Sequence, residues 1–216
     1  MRIVIAGGHG QIARLLATQL AAGGHEPIAL IRNPDHADDV TAAGATPLVL
    51  DLESSGVDAV AHALAGTDAV VFAAGAGPNS NAERKLTVDR DGAILLADAA
   101  EAAGVRRIVI VSAMATDDFD PASDEVFQVY LRAKSEADAD IRRRDLDWTI
   151  VRPGALTDDA ATGLVTIGET APRGSISRAD VAAVLAHALA SGAGVRSQFE
   201  LVAGETPIAE ALPARA

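Results

Sequence analysis

The chain has 216 residues, 49% of them apolar and 22% charged, with a mean hydropathy of +0.20; it can bury roughly 70% of the surface its unfolded form exposes, which excludes intrinsic disorder. Thirty acidic residues against eighteen basic ones leave a formal charge of −12, so phosphate backbones and anionic membrane surfaces are repelled and nucleic acid is not an expected partner. Cysteine is absent, which excludes disulfides, thiol nucleophiles and thiolate metal sites and fits a reducing compartment.

Residues 2–6 read as a strand that runs straight into glycines, leaving no room for the apolar core of a signal peptide. No later apolar stretch is long enough to span a bilayer, and a soluble, cytoplasmic protein is expected. Gly7-Gly8-His9-Gly10-Gln11-Ile12-Ala13 follows and opens an amphipathic helix over 12–20. It satisfies G-x-x-G-x-x-A from Gly7 and G-x-G-x-x-A from Gly8. Between a strand and a helix, such glycines let the backbone turn tightly and approach a pyrophosphate, whose charge the free N–H groups of the helix start then meet. Gly7, Gly8, His9, Gly10, Gln11 and Ile12 are therefore expected at a dinucleotide. His9 either adds a donor near the phosphates or points to solvent.

Further strand-like runs cover 27–31, 46–50, 69–73, 107–111 and 148–151, each short, apolar and β-branched, as strands covered on both faces read. Gly24, Gly44, Gly66 and Gly104 close the helical stretches before four of them. Alanine, about a fifth of the chain, would also suit a helical bundle, but the six regularly spaced runs favour alternating strands and helices. The expectation is a single-domain, Rossmann-like α/β fold over 1–216, a doubly wound parallel sheet with helices on both faces. The second strand ends Ile31-Arg32-Asn33-Pro34. An acid there would suit the ribose hydroxyls of NAD, whereas Arg32 suits a 2′-phosphate and favours NADP(H) over NAD(H); an arginine merely extended into solvent is the other reading.

A helix is expected over 124–144, with Tyr130 and Lys134 one turn apart on one face. Lys134 would stabilise the phenolate and draw the tyrosine's pKa down toward working pH, for proton exchange with a substrate oxygen. Ser112 ends the strand before that helix, at the edge of a sheet that faces ligand. A tyrosine packed on the sheet beside a solvated lysine is the plain alternative. Tyr130 is, however, the chain's only tyrosine, and with Ser112 and Lys134 it forms a coherent candidate catalytic set. The acidic run from Asp117 to Glu125 lacks the order of a calcium loop, and the histidines lack ligand spacing, so no metal is expected. After Val151 the rhythm breaks over 152–174. A helix over 177–190 and a strand over 198–202 close the chain, with 152–216 adding a small substrate-pocket region.

These motifs together resemble the compact, atypical branch of the short-chain dehydrogenase/reductases, the NAD(P)-binding, epimerase/dehydratase-like proteins. The resemblance spans nearly the whole chain. It rests also on Gly24-His25-Glu26, Leu50-Asp51-Leu52, Ala73-Ala74-Gly75, Thr149-Ile150-Val151-Arg152-Pro153-Gly154 and Ile176-Ser177-Arg178-Ala179-Asp180-Val181-Ala182. It implies that Asp51 and Leu52 flank the adenine and that Ala73, Ala74 and Gly75 line the cofactor near its ribose. Lys134 would hold the nicotinamide ribose, and the backbone at Pro153 and Gly154 would meet the carboxamide. Ser112 would orient substrate and Tyr130 would be the acid/base. Two departures, Asp89 where extended members often carry Asn and a short segment after Pro153, point away from nucleotide-sugar epimerisation. The expected activity is an NADP(H)-preferring oxidoreductase acting on a small carbonyl or alcohol, as a monomer or homodimer. A cofactor sensor without turnover and an isomerase or dehydratase holding NAD⁺ are the competing readings.

Overall fold

The computed structural model describes residues 1–77 and 79–214. Its elements, in chain order, are β1 (Arg2–Ala6), α1 (Gln11–Ala22), β2 (Glu26–Ile31), α2 (Ala37–Ala42), β3 (Thr46–Val49), α3 (Val57–Ala63), β4 (Ala69–Phe72) and α4 (Ala82–Arg84). A π-helical turn, Lys85–Asp91, leads from α4 into α5 (Gly92–Ala102). There follow β5 (Arg107–Val111), α6 (Val126–Arg142), β6 (Asp147–Pro153), β7 (Ala155–Thr157), β8 (Leu164–Gly168), β9 (Ser175–Ser177), α7 (Arg178–Ser191), β10 (Ser197–Ala203), β11 (Thr206–Pro207) and α8 (Ile208–Ala211).

The main sheet runs β11-β8-β10-β6-β5-β4-β1-β2-β3. From β3 to β10 all neighbours are parallel, whereas β8 joins β10, and β11 joins β8, antiparallel. This is the expected Rossmann-like, mostly parallel α/β fold, with an antiparallel edge that the sequence reading left as irregular chain. Strand alternation divides the core. Ile3 and Ile5 of β1 join the cluster under α1 and α7, while Val4 and Ala6 join the one under α3, α5 and α6. Leu16, Leu20, Leu96 and Ile141 are fully buried beneath these helices, each stabilising the fold by about 1.5–3 kcal/mol relative to exposure.

The four helix-closing glycines all adopt left-handed backbone, with φ of 77° at Gly24, 86° at Gly44, 73° at Gly66 and 73° at Gly104, which L side chains resist. Ser177 caps α7 by accepting from Asp180 N at 2.9 Å, and its hydroxyl donates back to the Asp180 carboxylate. α6 starts two residues later than expected because Glu125 is extended (φ −59°, ψ 133°). Strands β2 and β4 lie on either side of β1, so the connections diverge there and open a crevice at the carboxyl ends of the strands.

Candidate functional site

A cavity of about 290 Å³ occupies that crevice, lined from β1 by Gly7, His9 and Gly10 and from β4 by Ala73, Ala74, Gly75 and Ala76. Gly7 has φ +78°, and a Cβ there would lie 2.5 Å from Ala74 Cα, so any side chain would drive the two loops apart. A Cβ on Gly8 would stand 2.5 Å from that of Ala29; this glycine serves packing against β2 and does not line the cavity. Gly10 N donates to Gly7 O at 2.8 Å, closing the turn. No side chain caps α1 and no acid occupies its first turn. The free N–H groups of that turn, behind a cradle which a Cβ would fill, suit a pyrophosphate.

The remaining loop residues separate. His9 lines the cavity, but its Nε2 lies 2.8 Å from Asp39 Oδ2 and its ring stacks on His36 at 3.6 Å. This pairing holds the Asp39 carboxyl below its usual range. Gln11 turns away and donates to Asp158 at 3.3 Å, in a second groove shared with Arg14 and Arg178, and Ile12 packs into the core.

At the β2–β3 end, Arg32, Leu50, Asp51 and Leu52 line the cavity together with Glu53 and Arg84. Glu53 was not foreseen. It takes Arg84 Nη2 at 2.5 Å, the Thr87 hydroxyl at 2.8 Å and, more loosely, Arg32 at 3.5 Å. The hydrogen bonds from Arg84 hold its carboxyl below the usual range. Two guanidinium groups here share one carboxylate, and Arg32 remains 58% exposed.

Ser112, Tyr130 and Lys134 do not line this cavity; Tyr130 and Lys134 stand on α6, which Asp89 links to the cavity-lining loop after β4. Tyr130, Lys134 and Asp138 share one face at successive turns. Lys134, nearly fully buried, donates to Val111 O at 3.1 Å and lies 3.4 Å from Asp89 Oδ1. Asp89, where an Asn was the familiar residue, accepts from Ala76 N with its other oxygen at 3.1 Å and so ties the loop after β4 to Lys134. The expectation that Lys134 would draw the Tyr130 pKa down is corrected: burial pushes it above its ordinary value, and the attraction of Lys134 only partly offsets this. The ammonium is held between Val111 and Asp89, while the phenol sits in a desolvated place where the neutral form is favoured.

Ser112 is buried, and its hydroxyl donates to Asp138 Oδ2 at 2.8 Å, so its proton is not free for substrate. The same oxygen accepts from Arg152 Nε at 2.8 Å. Arg152 also grips Asp117 with two nitrogens, at 2.7 and 3.2 Å, and Ser135 donates to Asp117 at 2.8 Å. Asp138 is fully buried with Oδ1 unpartnered, and burial pushes its pKa up against the pull of Arg152. Asp138 was missed although its spacing, four residues beyond Lys134, was readable; Arg152 lay in a quoted motif without a role. Pro153 and Gly154 stand apart from the cavity: Pro153 O accepts from Met114 N and Gly154 N donates to Leu201 O, both at 2.9 Å. Of the backbone expected to meet a carboxamide, the Gly154 N–H is bonded to β10 and Pro153 O to Met114.

Residues 7–192 match the family model described as NAD(P)H-binding. The uncharacterized sugar epimerase YhfK of Bacillus subtilis is 35% identical over 213 residues, covering 98% of this chain and 99% of its own. Among solved structures, a candidate NAD-dependent epimerase/dehydratase from Bacillus halodurans is 38% identical, with a TM-score of 0.90 and 97% of both chains covered. The oxidoreductase ylbE of Lactococcus lactis is 27% identical, with a TM-score of 0.84, covering 98% of this chain and 94% of its own.

Proposed function

The chain belongs to the NAD(P)H-binding family, with the atypical short-chain dehydrogenase/reductase-like proteins, and from that premise we propose that it is an NADP(H)-preferring oxidoreductase acting on a small carbonyl or alcohol. The observation that carries this reading is the chain's only tyrosine, one helical turn from a buried Lys134 that Asp89 ties to the cavity-lining loop after β4. When bound, the nicotinamide supplies or accepts a hydride.

The remaining chemistry belongs to the chain. Tyr130 keeps its proton at working pH, although burial makes the phenol a weaker acid than usual, and its Oη is the group we assign to protonating a carbonyl oxygen during reduction. Ser112, its proton given to Asp138, still has a lone pair with which to accept from the alcohol formed. Lys134 uses one donor on Val111 and faces Asp89 with another, leaving a third for a ribose hydroxyl. Arg32, the exposed guanidinium at the adenosine end, would receive a 2′-phosphate, with Arg84 beside it. Residues from Arg152 onward would wall the small substrate pocket.

Trp148, the only tryptophan, precedes Pro153 by five residues, about 17 Å of strand. Energy transfer from it to reduced nicotinamide is expected to saturate at low concentrations of NADPH and to be weaker with NADH, a difference that Arg32→Ala removes. Tyr130→Phe is expected to cut carbonyl reduction by at least about 100-fold while NADPH affinity is retained. Full activity in that variant would refute the acid role, and no transfer with either nucleotide would refute the cofactor reading.

The names of YhfK and the Bacillus halodurans protein favour one second reading, an epimerase or dehydratase with tightly held NAD⁺. Stoichiometric nicotinamide retained through purification would select it.

A further inference from the structure

Beside Tyr130 stands a cation that the reaction outlined above does not use. Lys85 opens the π-helical turn, a conformation concentrated at functional sites, and exposes only 6% of its surface. Its ammonium donates to Gly77 O at 2.7 Å and sits 5.1 Å from the centroid of the Tyr130 ring. Among the described residues no carboxylate lies within ion-pairing distance of it: Asp89, on the same turn, approaches Lys134 instead, at 3.4 Å. Of these two buried ammonium groups only Lys134 has a carboxylate at ion-pairing distance, and the nearby Arg84 is committed to Glu53. Burial lowers the Lys85 pKa, with Asp89 opposing and Lys134 and Arg84 adding to the fall.

An unpaired buried charge is costly, and a chain with thirty acidic residues has carboxylates in surplus to pair it with. The dinucleotide cavity is not where the missing anion belongs, because this segment lines that cavity with Arg84 and Val88, whereas Lys85 faces the Tyr130 ring. Gly77 takes one of the ammonium's three donors.

Resting on the reductase reading above, we propose that Lys85 receives a carboxylate carried by the substrate, so that the substrates are oxo acids whose carbonyl oxygen meets Tyr130. One molecule then answers two neighbouring groups. The phenol supplies a proton to the reacting oxygen, and the ammonium fixes the other end and rejects neutral aldehydes and ketones by being left unpaired.

The test is the affinity of the NADP⁺-loaded protein, by calorimetry, for two acid and ester pairs: levulinate with methyl levulinate, and benzoylformate with methyl benzoylformate. At least one acid is expected to bind about tenfold or more tightly than its ester. Lys85→Gln, which keeps a donor for Gly77 but removes the charge, is expected to abolish the preference, and Lys85→Arg to retain it. Lys85→Met serves the same purpose if the Gln variant fails to fold. NADPH affinity, read by Trp148 energy transfer, is expected to be unchanged in the Gln variant. Equal affinity for acid and ester in both pairs, including no binding of any, overturns the proposal, as does an acid preference that survives Lys85→Gln. A loss of NADPH affinity with the acid preference intact would assign Lys85 to the cofactor and also overturn it. Failure of the reductase reading shows separately, as absent NADPH transfer or an active Tyr130→Phe.

Discussion

Arg152 serves two carboxylates at once, and their environments differ. Asp138 lies in the core, while Asp117 belongs to the loop after β5 and is 55% exposed. The hydrogen bonds from Arg152 hold the Asp117 carboxyl below its usual range. A depressed folded-state pKa contributes stability that is present above the unfolded value near 3.8 and is lost as pH falls through the folded value. Asp117→Asn is therefore expected to lower the urea midpoint at neutral pH and to converge on the parent protein in acid. With half of the group in solvent, screening keeps the difference below about 1 kcal/mol. The local consequence is larger, because Asp117 helps fix a loop in which Ala115 already holds left-handed backbone at φ 61°. At this scale Tyr130 and Lys134 were legible from their spacing, and Asp138 could have been. Glu53 was not, because it reaches Arg32 from 21 residues away through the turn after β3, where Asp51 accepts from Glu53 N.

Among the elements, the parallel strands were plain in the sequence. A strand buried on both faces must be apolar where it is covered; β4 is apolar throughout, and β1 and β5 are after a leading arginine. The edge elements were not. β7 and β9 have three residues each and pair only with one another, and β8 carries exposed Leu164 and Thr166 on a strand whose place is set by β10. Glycine placement decides how this region closes. A Cβ on Gly154 would lie 2.3 Å from Gly174 O and 3.0 Å from Val202 Cγ1, where β6, β7 and β10 converge. Gly154→Ala is expected to cost about 2 kcal/mol or more, since backbone on that side cannot swing away as a flexible side chain would. An unchanged urea midpoint would show that the edge yields freely.

The whole molecule places its glycine cradle where two halves of the sheet diverge, so a ligand bound there contacts β1, β2, β3 and β4 ends together. Binding to the folded state alone stabilises by mass action, and NADPH at 100 times its dissociation constant is expected to add about 2.7 kcal/mol, a rise in Tm of roughly 5–11 °C for a chain of this size. Thermal unfolding with and without NADPH measures it, and Gly7→Ala is expected to lose the shift because its Cβ would strike Ala74. The sequence by itself determined the alternation of strands and helices, the glycine turn and the tyrosine–lysine face, since periodicity, left-handed glycines and helical spacing are local properties of the chain. Only the tertiary structure decided what each charge faces. It paired Lys134 with Asp89, turned the Ser112 hydroxyl to donate to Asp138, set Glu53 between two arginines and, among the described residues, left Lys85 without a carboxylate at ion-pairing distance. Burial and partnership depend on segments distant in sequence, and these set the direction in which the Tyr130 pKa moves.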